Sequence, residues 1–105
     1  MTLRTEAHLR DCYVQLPGVC NHNPETTVLA HLRIGHIAGM GQKPPDTCAV
    51  PVCSACHDVI DGRAKSDLDR DFVQLLALQG HLRWMKQLDL EGWELLKTGI
   101  KRKAA

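Results

Sequence analysis

An α+β fold is what this sequence predicts, and three observations predict it. Two short apolar runs rich in β-branched residues, TTVLAHLRI and TCAVPVC, read as strands. The run 66–88, SDLDRDFVQLLALQGHLRWMKQL, repeats apolar residues at helical spacing. Four cysteines fall in two close pairs that can staple a chain with a modest core. At 105 residues the whole length, 1–105, reads as one domain, and no internal repeat divides it.

The elements follow in order. Residues 1–11 hold a short helical turn. CYVQLPGVC alternates apolar residues around Pro17-Gly18, so it reads as a tight hairpin or knuckle with a cysteine at each end. NHNPETTV is loop, and TTVLAHLRI is the first strand. GHIAGMGQKPPD carries three glycines and two prolines, a long loop of the kind that often serves function. TCAVPVC is the second strand, edge-like or bulged because Pro51 cannot donate to a ladder. A helix begins within CSACHDVID and stops at Gly62.

The packing helix is expected over 66–88. Ser66 is its N-cap, and Asp67 and Asp69 suit the positive end of its dipole. Leu68, Phe72, Leu75, Leu76, Leu82 and Met85 form its buried stripe, Trp84 joins the core, and Gly80 weakens the middle. LEGWELLKTGI fits a turn with a short strand or an extension of the helix. The basic tail 97–105 concentrates Lys97, Lys101, Arg102 and Lys103, which either touch phosphate or form a solvated terminus.

Composition narrows the chemistry. MTLRTEAHLRDCYVQ has no apolar signal region, and no run reaches the length of a membrane span. A cytoplasmic chain is therefore expected, with thiols reduced and clustered cysteines binding metal rather than forming disulfides. A net charge of +1 excludes a polycation, so any non-specific nucleic-acid affinity should be modest and salt-sensitive.

Cys53 and Cys56, with two residues between them, converge naturally on one zinc ion, and a turn at Pro17-Gly18 brings Cys12 and Cys20 to the same point. One structural Zn²⁺ held by Cys12, Cys20, Cys53 and Cys56 is the expectation, with Cys48 a core residue. Cys53-Ser54-Ala55-Cys56-His57 also matches the C-x-x-C-H pattern of covalent haem attachment. That reading leaves Cys12 and Cys20 unexplained, needs export, and finds no marked axial ligand in Met40 or Met85. No haem is expected, and a c-type haem protein stands as the remote alternative.

With four thiolates on zinc, His57 is free for other work. It follows the last ligand directly, so the knuckle fixes its direction. His31, in VLAHLRI, lies on the preceding strand, and the two can face one cleft.

CSACH and LAHLR together resemble the HNH, or ββα-metal (His-Me finger), endonucleases. The longer string CYVQLPGVCNHNPETTVLAH…GQKPPD…CSACHDVID is similar to the small nucleases of lambdoid prophages, the YbcO-like family. The resemblance covers the core motif 8–62, with a long helix of similar character after it. It implies a zinc-stapled ββα-metal motif followed by a long C-terminal helix. It also implies a phage- or prophage-encoded, metal-dependent endonuclease hydrolysing phosphodiester bonds of DNA. His31 would be the general base and His57 a ligand of a second, catalytic divalent ion, Mg²⁺ or another. Neutral imidazole suits deprotonation of water, and a cation suits the charge on the scissile phosphate.

The sequence departs from the family where an acidic residue or histidine usually precedes the base, since Ala30 stands there. Asp46, in KPPD, is a possible second ligand or an orienter of His31, or else a turn residue. Arg33 and Lys43 flank the cleft and are weak candidates for nucleic-acid contacts. His36 lies in the glycine-rich loop, and His8, His22 and His81 receive no role. The alternative is a non-catalytic zinc module binding nucleic acid or protein, its nuclease site decayed. Many small nucleases dimerise to cut both strands, so a homodimer is possible, but no interface can be read from the sequence.

Overall fold

The computed structural model describes residues 2–32, 45–96 and 99–103. In chain order come helix α1 (Leu3–Ala7), strands β1 (Val28–His31) and β2 (Ala49–Val52), and helices α2 (Ser54–Ile60) and α3 (Arg70–Leu90). Strands β3 (Trp93–Leu96) and β4 (Gly99–Arg102) follow. The architecture is mixed α+β with a long C-terminal helix, as the residue pattern predicts.

β1 and β2 pair antiparallel with His31 opposite Ala49 and Leu29 opposite Pro51. Among the described residues this sheet has two strands, so both are edges there and Pro51 is tolerated. The Pro51 carbonyl accepts from the Tyr13 N–H at 2.9 Å, tying the cysteine-bearing segment to β2. Of the two forms expected for that segment, hairpin or knuckle, it takes the knuckle: residues 17–19 form a turn, with Gly18 at φ 70°, and residues 12–20 pair in no strand. The ends still meet, because the Val19 and Cys20 N–H groups both donate to the Leu16 carbonyl.

α2 starts on Cys53, whose sulfur accepts the Cys56 N–H at 3.4 Å. The chain leaves it at Gly62, φ 79°, the stop that the sequence marks. The Arg70 guanidinium donates to the Val59 carbonyl at 2.7 Å and to the Ile60 carbonyl, satisfying the helix end and locking it to α3.

α3 begins four residues later than expected, at Arg70 with Asp69 as its cap. The Ser66 hydroxyl accepts from Leu68 N–H at 3.1 Å, a local turn that takes the cap donor out of the helix. The buried face also differs. Val73, Ala77, Gly80, Trp84 and Leu88 point inward, whereas Phe72, Leu75 and Leu82 of the expected stripe are exposed. The helix runs unbroken through Gly80. A Cβ there would lie 2.9 Å from the Tyr13 carbonyl oxygen and 3.0 Å from Val14 Cγ2, so glycine permits close approach.

Trp84 is fully buried at the centre. Tyr13 meets it edge-on at 5.4 Å, and the Arg10 guanidinium covers its face at 4.8 Å. Arg10 also grips both Glu91 oxygens, at 2.7 and 2.6 Å, and Glu6 at 2.5 Å. The N-terminal segment is thereby clamped to the end of α3.

Beyond α3 the ambiguous segment resolves as the antiparallel pair β3–β4. Within the basic tail, Arg102 stacks on Trp93 at 4.0 Å, Lys101 faces Glu94 at 3.7 Å, and Lys103 pairs with Asp89. These cations are exposed, yet each is paired with a neighbouring side chain. Lys97 lies outside the described residues. Among those residues, no helix is long and apolar enough to cross a membrane.

Candidate functional site

The sulfurs of Cys12, Cys20, Cys53 and Cys56 all lie within 4.8 Å of one another. Among the described residues they are the one group of three or more His, Cys, Asp or Glu side chains close enough to hold an ion. The turn at Gly18 delivers the first pair, and the start of α2 delivers the second.

The donor set fits a thiophilic metal. Each sulfur accepts one backbone N–H: Cys12 from Gln15 at 3.3 Å, Cys20 from His22, Cys53 from Cys56 and Cys56 from Leu16, each at 3.4 Å. Such bonds favour thiolate and orient it. Gln15 and His22 reach this geometry with positive φ, 48° and 53°, a left-handed backbone that bulky residues adopt only where the surroundings demand it. The Cys20 and Cys53 sulfurs are 3.8 Å apart, the edge of a tetrahedron with bonds of about 2.3 Å to its centre.

Cys12, Cys20 and Cys56 hold their protons unevenly. The Cys56 thiol, donating to Cys12, lowers the latter to about 4, while Cys12 and burial push Cys56 upward. Burial raises Cys20 to about 11. A bound cation would displace the retained protons, so occupancy is coupled to pH.

Cys53 and Cys56 are fully buried in this cluster, which leaves C-x-x-C-H no exposed thiol pair to offer a haem. Cys48 is half-buried in the turn before β2 and belongs to no such group.

Beside the staple is a cleft of about 580 Å³, walled by Arg4, His8, Thr27, Val28, Leu29, His31, His57, Asp61 and Arg63. His31 stands at the end of β1 and His57 in the first turns of α2, so the two histidines singled out by the sequence line one cavity. His31 Nε2 lies 2.7 Å from Asp46 Oδ1, and Arg4 approaches the other Asp46 oxygen at 3.4 Å. These neighbours, His31 above all, hold the Asp46 carboxyl below its ordinary range. An ionised Asp46 can only accept, so Nε2 carries the proton of this bond, and Nδ1 has no hydrogen-bond partner among the described residues.

His57 Nε2 sits 3.1 Å from Asp61 Oδ2, and Arg63 reaches the same oxygen at 3.1 Å. Asp58 faces Arg63 at the helix surface, also at 3.1 Å. Asp46 therefore accompanies His31 rather than His57.

Arg4, His8, Thr27, Asp61 and Arg63 were not anticipated as cleft residues. Asp61 carries a readable signal, four residues after His57 and hence on the same helical face. The buried Thr27 hydroxyl has no hydrogen-bond partner among the described residues. His81 instead clips α3 to β2 through the Ala49 carbonyl at 2.8 Å, and His22 Nδ1 lies 3.7 Å from the Cys20 sulfur. Arg33, His36, Met40 and Lys43 lie outside the described residues.

The chain is 48% identical over 89 residues to "Putative nuclease YbcO" of Escherichia coli (strain K12), covering 81% of this chain and 92% of that protein. The same figures hold for "Putative nuclease ybcO" of Enterobacteria phage 82. A solved structure described as a putative bacteriophage protein from Escherichia coli str. K-12 substr. MG1655 superposes with a TM-score of 0.70 at 44% identity. It covers 85% of this chain and 98% of its own. Residues 1–93 match the family model described as "Putative nuclease YbcO", and the chain belongs to that family.

Proposed function

We propose that this chain is a DNA endonuclease of HNH type that hydrolyses phosphodiester bonds with a divalent metal ion. The observation that carries the reading is the single cleft lined by His31 and His57, with the His31 imidazole held by Asp46 at 2.7 Å. The names of the relatives support a nucleic-acid substrate, and phage-related sources support prophage origin.

The four cysteines hold one structural Zn²⁺, which fixes the turn segment against the start of α2. His57 and Asp61, an imidazole and a carboxylate 3.1 Å apart, are the residues that would hold the catalytic divalent ion. Such an ion supplies charge neutralisation at the scissile phosphate and leaving oxygen.

His31 takes a proton from the attacking water at Nδ1. Asp46 fixes the tautomer, keeps the ring aimed, and stabilises the imidazolium that forms. Arg4 and Arg63, both on the cleft wall, neutralise flanking phosphates once DNA displaces water from them. Ala30, buried at 1% exposure, supplies no ligand, so Asp61 takes on the carboxylate role that the strand position lacks. The same Ala30 is what favours the alternative, a zinc-bound interaction module without catalysis.

Nicking of supercoiled plasmid in Mg²⁺, Mn²⁺ or Ni²⁺ distinguishes these readings. Wild type should nick, His31→Ala should lose activity by about 10²-fold or more, and Asp46→Asn should retain an intermediate rate. Equal nicking by wild type and His31→Ala would sink the role of His31. DNA binding without nicking in any metal would establish the non-catalytic module. Metal analysis of the purified chain should find one tightly held zinc.

A further inference from the structure

α3 is apolar on two opposite faces. Val73, Ala77, Gly80, Trp84 and Leu88 face the core. On the other side Phe72, Leu75, Leu78 and Leu82 are 39, 50, 42 and 60% exposed, and Met85, at the edge of this face, is partly buried against the core. A helix packed on one side alone normally turns a polar face to water. Leu75, Leu78, Leu82 and Met85 also follow one another at steps of three, four and three residues, the seam spacing of paired helices.

Charge supplies the direction. The start of α3 is acidic, with Asp67, Asp69 and Asp71, and Lys86 stands on the outer side toward its end. Asp89, near that end, is already paired with Lys103, and Arg70 is occupied with the carbonyls of α2. None of Asp67, Asp69, Asp71 or Lys86 has an ion-pair partner among the described residues. A second α3 running antiparallel over this seam would bring each Lys86 toward the acidic start of the other. A parallel one would set acid against acid.

We propose that the outer face of α3 is a homodimer interface, in which two copies of this chain pair antiparallel through Leu75, Leu78, Leu82 and Met85. At about 1.5 Å per residue the stretch from Leu75 to Met85 is about 15 Å long, and a seam about 10 Å wide covers on the order of 150 Å² per copy. That is below the ~800 Å² per partner of a stable complex, so the dimer is weak and concentration-dependent. The pairing is independent of whether the cleft cuts DNA.

Sedimentation equilibrium of zinc-loaded protein between about 1 and about 300 μM tests it. Wild type should shift from monomer toward dimer mass across that range. Leu78→Glu/Leu82→Glu should remain monomeric with an unchanged circular-dichroism spectrum, since both positions are exposed. Lys86→Glu should weaken association about tenfold, and Asp71→Lys/Lys86→Glu should restore it. A wild type monomeric throughout overturns the proposal, whatever else covers the seam. So does a folded Leu78→Glu/Leu82→Glu that dimerises like wild type. Failure of the charge exchange to restore association overturns the antiparallel arrangement.

Discussion

Replacing Gly80 by alanine separates two opposing effects on one helix. Intrinsic propensity favours alanine by about 1 kcal/mol in a helix interior. Here the new Cβ would lie 2.9 Å from the Tyr13 carbonyl oxygen, 3.2 Å from its carbon and 3.0 Å from Val14 Cγ2. The carbonyl cannot simply retreat, because it accepts from Arg83 at 2.6 Å, and the Tyr13 N–H donates to Pro51. Overpacking of this kind costs about 1–3 kcal/mol. With the propensity gain subtracted, a net loss of about 1 kcal/mol is expected, or a melting point lower by about 5 °C in a domain of this size. Tyr13 adjoins Cys12, so if the cysteines hold the proposed zinc, Gly80→Ala should also release it faster to a chelator. Thermal melts at fixed excess zinc, with the exposed Gln79→Ala as control, provide the assay. A Gly80→Ala protein melting at or above wild type would refute the close-packing argument.

Three further outcomes follow from the same geometry. Removing the metal with a strong chelator, or substituting Cys56→Ser, should abolish the cooperative melt, because structural zinc sites contribute on the order of 10 kcal/mol; an unchanged melt would show the cluster to be incidental. The Arg10 hydrogen bond holds the Glu91 carboxyl at about 2, below its ordinary 4.5, so the pair stabilises the fold above pH 4.5 and loses its contribution as pH falls toward 2. The difference in urea midpoint between wild type and Glu91→Gln should correspond to about 1–2 kcal/mol at pH 7 after allowance for solvent screening, and should vanish below about pH 2. In the cleft, Arg63→Ala should weaken DNA binding and flatten its salt dependence by about one phosphate contact, measured by fluorescence anisotropy across salt concentrations.

The sequence made some features readable and hid others for definite reasons. Both cysteine pairs could be read because ligand spacing is a local property and knuckle turns need Pro or Gly. The His31–His57 pairing could be read because each histidine is anchored to an element whose type is locally encoded. The face of α3 could not. Two apolar stripes share that helix, and the inward one is built around Ala77 and Gly80, whose small size hides them from a reading weighted toward leucine. The helix start was misjudged because Ser66 caps a turn rather than a helix. Arg4 and His8 reach the cleft from α1 and its end, a long-range contact that no spacing rule reports.

Cys53 is at once the cap of α2 and a member of the sulfur cluster. One atom therefore sets both where the ion sits and where a seven-residue helix begins. Ion size then becomes a mechanical spacer. A larger thiophilic cation such as cadmium would spread the four sulfurs, shift the start of α2, and move His57 and Asp61 relative to His31. The identity of the buried ion would tune the width of a cleft it never touches.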